Sequence, residues 1–233
     1  MATKRELDKL IEEGNPDALL DAVRDPARSS KLLRRITAGL CSAEPGQKWR
    51  AVSAMGVVAG EAGLASEKVA ERLRRFLWAL NDESGDVPYG IPEALGEILA
   101  VRPELGSQYT AILVSFLVQE ELVQTGPILA GVIWALGRVG VPDRDERERT
   151  RPGLKAALAL DDPEVRGAAV WTVARLGLIS SLEAEIRGLT SDQSAVCLLI
   201  DGVIRETRID DLARQGLGEE HSGQERDHGL AVQ

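Results

Sequence analysis

Four segments share one alternation of apolar, small and polar positions: Ala54-Met55-Gly56-Val57-Val58-Ala59, Ala94-Leu95-Gly96-Glu97-Ile98-Leu99, Ala135-Leu136-Gly137-Arg138-Val139-Gly140 and Thr172-Val173-Ala174-Arg175-Leu176-Gly177. Their third residues stand at 56, 96, 137 and 174, giving spacings of 40, 41 and 37 residues. Ile128, Val132, Leu136 and Val139 fall on one face at the helical period. A second set lies between: Val69, Leu73, Phe76, Leu77 and Leu80 also share a face, and similar stripes occupy 31–41, 108–118 and 152–160. The pattern predicts two helices per repeat of about forty residues.

Pro45, Pro127 and Pro163 lie ten or eleven residues before the small position, where proline suits a first helical turn whose N–H groups lack intrahelical partners. Leu80-Asn81-Asp82 and Leu160-Asp161-Asp162 supply side-chain oxygens for helix caps. Strand signals are nearly absent. Residues 4–24 predict a divergent pair of N-terminal helices, and 190–206 reads as a last, shorter repeat helix. The alternating charges of Asp143 to Arg151 suit a solvated loop or a helix start.

Trp49-Arg50-Ala51-Val52-Ser53-Ala54-Met55-Gly56, and Val165-Arg166-Gly167-Ala168-Ala169 with Leu176-Gly177, resemble the HEAT-repeat family, especially the bacterial HEAT-like repeats of phycobilisome lyases. The resemblance covers roughly residues 28–206. It implies an all-α fold, a right-handed α-α superhelix of about five to six helix pairs whose second helices line the concave side. The expected organisation is capping helices over 1–27, HEAT-like repeats over 28–206, and a short helix with a disordered acidic tail over 207–233. Such repeats serve many roles, so the resemblance is nearly silent on function.

Composition narrows the classes. The 233 residues carry a formal charge of −9, and residues 206–233 hold seven acids against three bases. That balance argues against nucleic acid and anionic membranes as partners. No stretch of 18 apolar residues is present, and MATKRELDKL carries no apolar run, so neither a membrane span nor a signal peptide is expected. Cytoplasm is the expected compartment. Cys41 and Cys197 lie in apolar helical patterns and read as buried free thiols. The two histidines, His221 and His228, fall in the polar tail, and HExxH, P-loop, GxGxxG and GxSxG patterns are missing. No catalytic residue, metal ligand or cofactor is assigned.

Aromatic residues make only 3% of the chain, so where they stand carries information. Aligned on the small position, the second helices place Ser53/Val57, Glu93/Glu97, Trp134/Arg138 and Trp171/Arg175 on one stripe, because i,i+4 residues share a face. One turn earlier stand Trp49, Tyr89, Ala130 and Gly167, and a less certain alignment adds Asp201 and Arg205. The candidate binding residues are therefore Trp49, Tyr89, Glu93, Glu97, Trp134, Arg138, Trp171 and Arg175. Two arrangements suit this stripe. The rings pack between second helices with arginines stacked on them and Glu93 and Glu97 paired to Arg138, or they line a groove open to a partner. In the open groove, truncating Trp134 and Trp171 should leave thermal stability nearly unchanged. Trp78 sits beside the core stripe of its helix and reads as structural.

Two further groupings exist. Asp82, Glu83 and Asp86, with Glu93 and Glu97, could gather oxygen ligands for a hard cation, although the spacing matches no EF-hand and helix capping accounts for them. Arg28, Lys31, Arg34, Arg35, Lys48 and Arg50, followed by Arg72, Arg74 and Arg75, form a local basic run that a solvated outer face explains. The leading functional expectation is a non-catalytic interaction module binding a partner protein or peptide in the concave groove. One alternative resembles the HEAT-like alkylpurine DNA glycosylases, with Trp134, Trp171, Arg138 and Arg175 on DNA and Glu93 or Asp201 as carboxylate. Another is a bilin-lyase-like, chromophore-handling protein.

Overall fold

The computed structural model describes residues 3–61, 66–80, 89–118 and 126–219. Its helices begin where the local chemistry supplies an acceptor and then a proline. Asn15, Asp25, Glu44 and Asp162 each cap a following N–H and are each succeeded by a proline that opens α2 (Pro16–Arg24), α3 (Pro26–Gly39), α4 (Pro45–Ala59) or α10 (Pro163–Arg175). Thr3 and Glu6 form a reciprocal capping box at the start of α1 (Lys4–Glu13). The charged run from Asp143 is a helix start: Asp143 caps Glu146 N at the head of α9 (Arg144–Leu158).

The remaining helices are α5 (Ser66–Leu80), α6 (Ile91–Val101), α7 (Gly106–Val118), α8 (Gly126–Val139), α11 (Glu183–Gly188) and α12 (Ile209–Gly216). Among the described residues, consecutive helices pack as six pairs, α1–α2 through α11–α12. The second helices stack in one row, α2, α4, α6, α8, α10 and α12, each against the next. This is a helical-repeat solenoid. Its tightest joints are made by small residues: a Cβ on Gly96 would fall 2.8 Å from the Ala135 Cα, so α6 and α8 touch nearly backbone to backbone. Thr172, fully buried, donates to the Ile133 carbonyl at 2.8 Å and ties α10 to α8. Val52, Met55, Leu95, Ile98, Val132, Leu136, Val165 and Val173 fill the space between the rows.

One expectation fails here. Residues 190–206 do not form a repeat helix; Ala195–Ile200 (β1) and Val203–Arg208 (β2) form an antiparallel hairpin inserted between the two helices of the last pair. The reason is local. Asp201 and Gly202 adopt positive φ of 49° and 81°, the two-residue turn that matches strand twist, and β-branched Val196, Ile200, Val203 and Ile204 flank it. Asp201 and Arg205 are therefore hairpin positions and do not extend a helical stripe. Cys197 is half-buried in a strand, and Cys41 is exposed; both are free thiols, but neither is fully buried.

Trp78 is also corrected: it is 73% exposed on α5, off the face that carries Leu73 and Phe76 inward. Among the described residues no helix is long and apolar enough to cross a membrane. His221, His228 and the acidic residues Asp82, Glu83 and Asp86 lie outside the described residues.

Candidate functional site

Part of the stripe foreseen on the second helices lies under the C-terminal hairpin. Trp49 of α4, Glu93 of α6, Ala130 and Trp134 of α8 and Ala168 of α10 line one small cavity together with Val196, Cys197 and Leu198. On α10 the fit depends on Gly167, where a Cβ would meet the Val196 side chain at 2.9 Å. The segment laid across the inner row is the chain's own β1.

Burial of the rings follows from that cover. Trp49, Trp134 and Trp171 retain 2%, 1% and 7% of their surface. They form a run: Trp49 and Trp134 have centroids 4.8 Å apart at 57°, and Trp134 stacks on Trp171 at 5.7 Å and 10°. Such pairs add to plain area burial. Each of the first two indoles needs an acceptor once buried, and the hairpin provides it. Trp49 Nε1 donates to the Cys197 carbonyl at 2.7 Å and Trp134 Nε1 to the Leu199 carbonyl at 3.0 Å. Stability unaffected by loss of Trp134 and Trp171 is therefore excluded; these rings belong to the core.

The charged members divide between bed and rim. Glu97 is buried and accepts from Arg138 Nε at 2.6 Å, joining α6 to α8 as the stripe suggested. Glu93 does not pair with Arg138. Its Oε1 accepts from Lys48 Nζ at 2.9 Å, with both residues buried beneath the hairpin. Burial pushes the Glu93 carboxyl above its ordinary range, against the pull of Lys48. Burial works most strongly against the Lys48 ammonium, but the Glu93 charge and hydrogen bond together with nearby negative groups leave its pKa raised. Glu93 Oε2 is buried with no hydrogen-bond partner, beside a cavity of about 10 Å³ lined by Lys48, Glu93 and Glu164.

Arg175 lies 5.8 Å from the Trp171 ring and reaches Asp201 at the hairpin tip, 3.8 Å away. Tyr89 is 46% exposed. The Arg138 and Arg175 side chains keep 36% and 47% of their surface. Burial pushes the Cys197 thiol up to about 11.

Of the other groupings, the acidic loop of Asp82, Glu83 and Asp86 lies outside the described residues. Among the described residues no group of three or more His, Cys, Asp or Glu is placed to hold a metal ion. The basic run is divided by acids: Arg35 pairs with Asp8, Arg74 with Glu67, Arg75 with Glu71, and Lys48 is the buried partner of Glu93. The carboxylates considered for glycosylase chemistry are sequestered or remote, Glu93 under β1 and Asp201 at the turn.

Sequence reasoning missed Cys197, Leu199 and Lys48 as members of this site. A signal existed for the first two, since Asp201-Gly202 between Leu198-Leu199-Ile200 and Val203-Ile204 is a strong hairpin pattern.

No family model and no curated protein sequence matches the chain. Among solved structures, the chain is similar to a designed armadillo repeat protein in complex with the peptide (KR)4, at 16% identity and a TM-score of 0.51, covering 92% of this chain and 90% of that one. A second designed armadillo repeat protein aligns at 17% identity and a TM-score of 0.52 over 94% of each chain. An engineered protein aligns at 15% identity and 0.53, over 92% of this chain and 88% of that one. At these identities the likeness shows the fold alone: a helical-repeat solenoid of the armadillo-like kind.

Proposed function

We propose that this chain is a non-catalytic interaction module that holds an extended segment of a partner protein along its inner helix row. The observation carrying this reading is the pair of indole N–H groups that meet alternate carbonyls of an extended strand. Those bonds address main chain, so the same bed suits a foreign segment of compatible side chains. The eight stripe residues take two roles. Trp49, Trp134, Trp171, Glu93 and Glu97 shape the bed, and Tyr89, Arg138 and Arg175 meet the partner at the rim, where Tyr and Arg are favoured contact residues. One structural neighbour, a designed armadillo repeat protein, carries a bound peptide, which supports peptide capture as a use of this architecture.

Selection of displayed random peptides on the full chain tests the reading. Enriched peptides should lose at least tenfold in affinity when Tyr89 and Arg175, both exposed enough to replace without unfolding, are changed to alanine. No enrichment, or equal affinity for that double variant, would sink it.

A further inference from the structure

Main-chain geometry explains why β1, and not β2, meets the tryptophans. Ile200 pairs with Val203 across the two-residue turn and Leu199 with Ile204. The pair flanking such a turn is hydrogen-bonded, so the polar groups of Leu199 and Cys197, one and three residues further back, point away from β2. Their carbonyls form the free edge of the strand, and both are taken by indoles.

Besides the two indole bonds, the hairpin has polar anchors of its own at the base. At its base Arg166 Nε donates to Asp192 Oδ2 at 2.8 Å, Ile209 N to the Ser194 carbonyl at 3.1 Å and Asp210 N to the Asp192 carbonyl at 2.9 Å. At its tip the ion pair is the 3.8 Å contact of Asp201 with a half-exposed Arg175. The bed is also not a uniform apolar surface. Lifting a strand from apolar surface costs roughly 25 cal/mol per Å². Here the buried Lys48–Glu93 pair would regain water, which offsets part of that cost.

We propose, resting on the function inferred above, that the hairpin is the resident occupant of a strand-capture site and that the partner enters by replacing β1. The ligand class is an extended aliphatic segment. It carries branched side chains at alternate positions, as Val196 and Leu198 do, and offers two carbonyls two residues apart to Trp49 and Trp134. The anchored base acts as the hinge and the tip swings clear. A tethered hairpin competes at an effective concentration of order millimolar, so it sets a threshold that only a well-matched segment passes.

The probe is a fluorescent peptide spanning 194–200 with serine at the cysteine position, added to the full chain in a Cys41→Ser background. Gly202→Val weakens the turn, because a β-branched residue resists φ of 81°, and leaves the bed untouched. Cys197 reports on opening: released from burial, its thiol returns towards an ordinary pKa and reacts faster with a disulfide reagent. Gly202→Val should raise both peptide affinity and Cys197 reactivity by about tenfold, and bound peptide should raise Cys197 reactivity in the parent chain. If Gly202→Val unfolds the chain, Asp201→Ala removes the tip contact from the hairpin side and should shift both readouts in the same direction.

Faster Cys197 reaction without peptide binding would overturn the exchange. Peptide binding with Cys197 unchanged would also overturn it, while leaving capture at the rim intact.

Discussion

Trp49 and Trp134 stand on helices separated by α6, yet their rings meet at 4.8 Å and their indole nitrogens reach carbonyls two residues apart on the same strand. The pair bridges α4, α8 and a hairpin from the far end of the chain. It makes the C-terminal insertion part of the same cooperative core as the first repeats.

Replacing Trp134 separates ring packing from hydrogen bonding. Trp134→Ala should cost about 3–5 kcal/mol, the range for deleting a buried aromatic. Trp134→Phe keeps most of the ring but leaves the Leu199 carbonyl without its donor, and should cost about 1–3 kcal/mol. Urea denaturation of the three proteins checks the order; equal midpoints would show that the ring is not buried.

Glu93 gives a pH dependence with a defined sign. Its carboxyl is raised above the ordinary 4.5 by burial, so folding favours the protonated form. The contribution is fully present below that ordinary value and is lost as pH rises through the folded pKa. The parent should therefore lose stability relative to Glu93→Gln as pH rises from about 4 towards neutrality. Denaturation midpoints of both proteins, taken across that span, test it; a gap that is flat or widens in the parent's favour contradicts it.

The two thiols should differ in reactivity. Cys41 is exposed, whereas Cys197 is half-buried with its thiol pushed up to about 11. At pH 8 Cys197 should be alkylated at least tenfold more slowly, since thiolate is the nucleophile. Mass spectrometry after brief iodoacetamide treatment reads the ratio, and equal labelling would mean that the hairpin is already lifted.

Gly96 sets the spacing of the inner row. A Cβ there would lie 2.8 Å from Ala135 Cα, and both are main-chain-bound, so relief requires moving a helix. Gly96→Val should cost about 1–3 kcal/mol or more through overpacking. Gly106→Ala, where nothing lies within 4 Å, is the control and should change stability little. Thermal melts of both variants compare the two sites.

Much of this was legible in local chemistry. Residues such as Asp162 and Pro163 announce a helix start by supplying an acceptor and a fixed φ, and the small residues at 56, 96 and 137 mark where second helices meet. The inner stripe could be drawn because i,i+4 neighbours share a face whatever surrounds them. The hairpin was hidden by the rhythm of the repeats: the apolar run Ala195–Ile200 suits a buried helix as well as a strand, and periodicity alone cannot separate them over six residues.

The partners of the stripe were not legible at all. The Glu93 carboxylate turned to Lys48 on α4, while Arg138 on α8 is taken by Glu97. Helical period, caps and small contact positions are local properties, so the stack of helix pairs with aromatic and charged residues on the inner row follows from the order of residues. The cover over that row does not. The Trp49 indole and the Cys197 carbonyl are 148 residues apart, and such a contact depends on how every intervening repeat turns the chain.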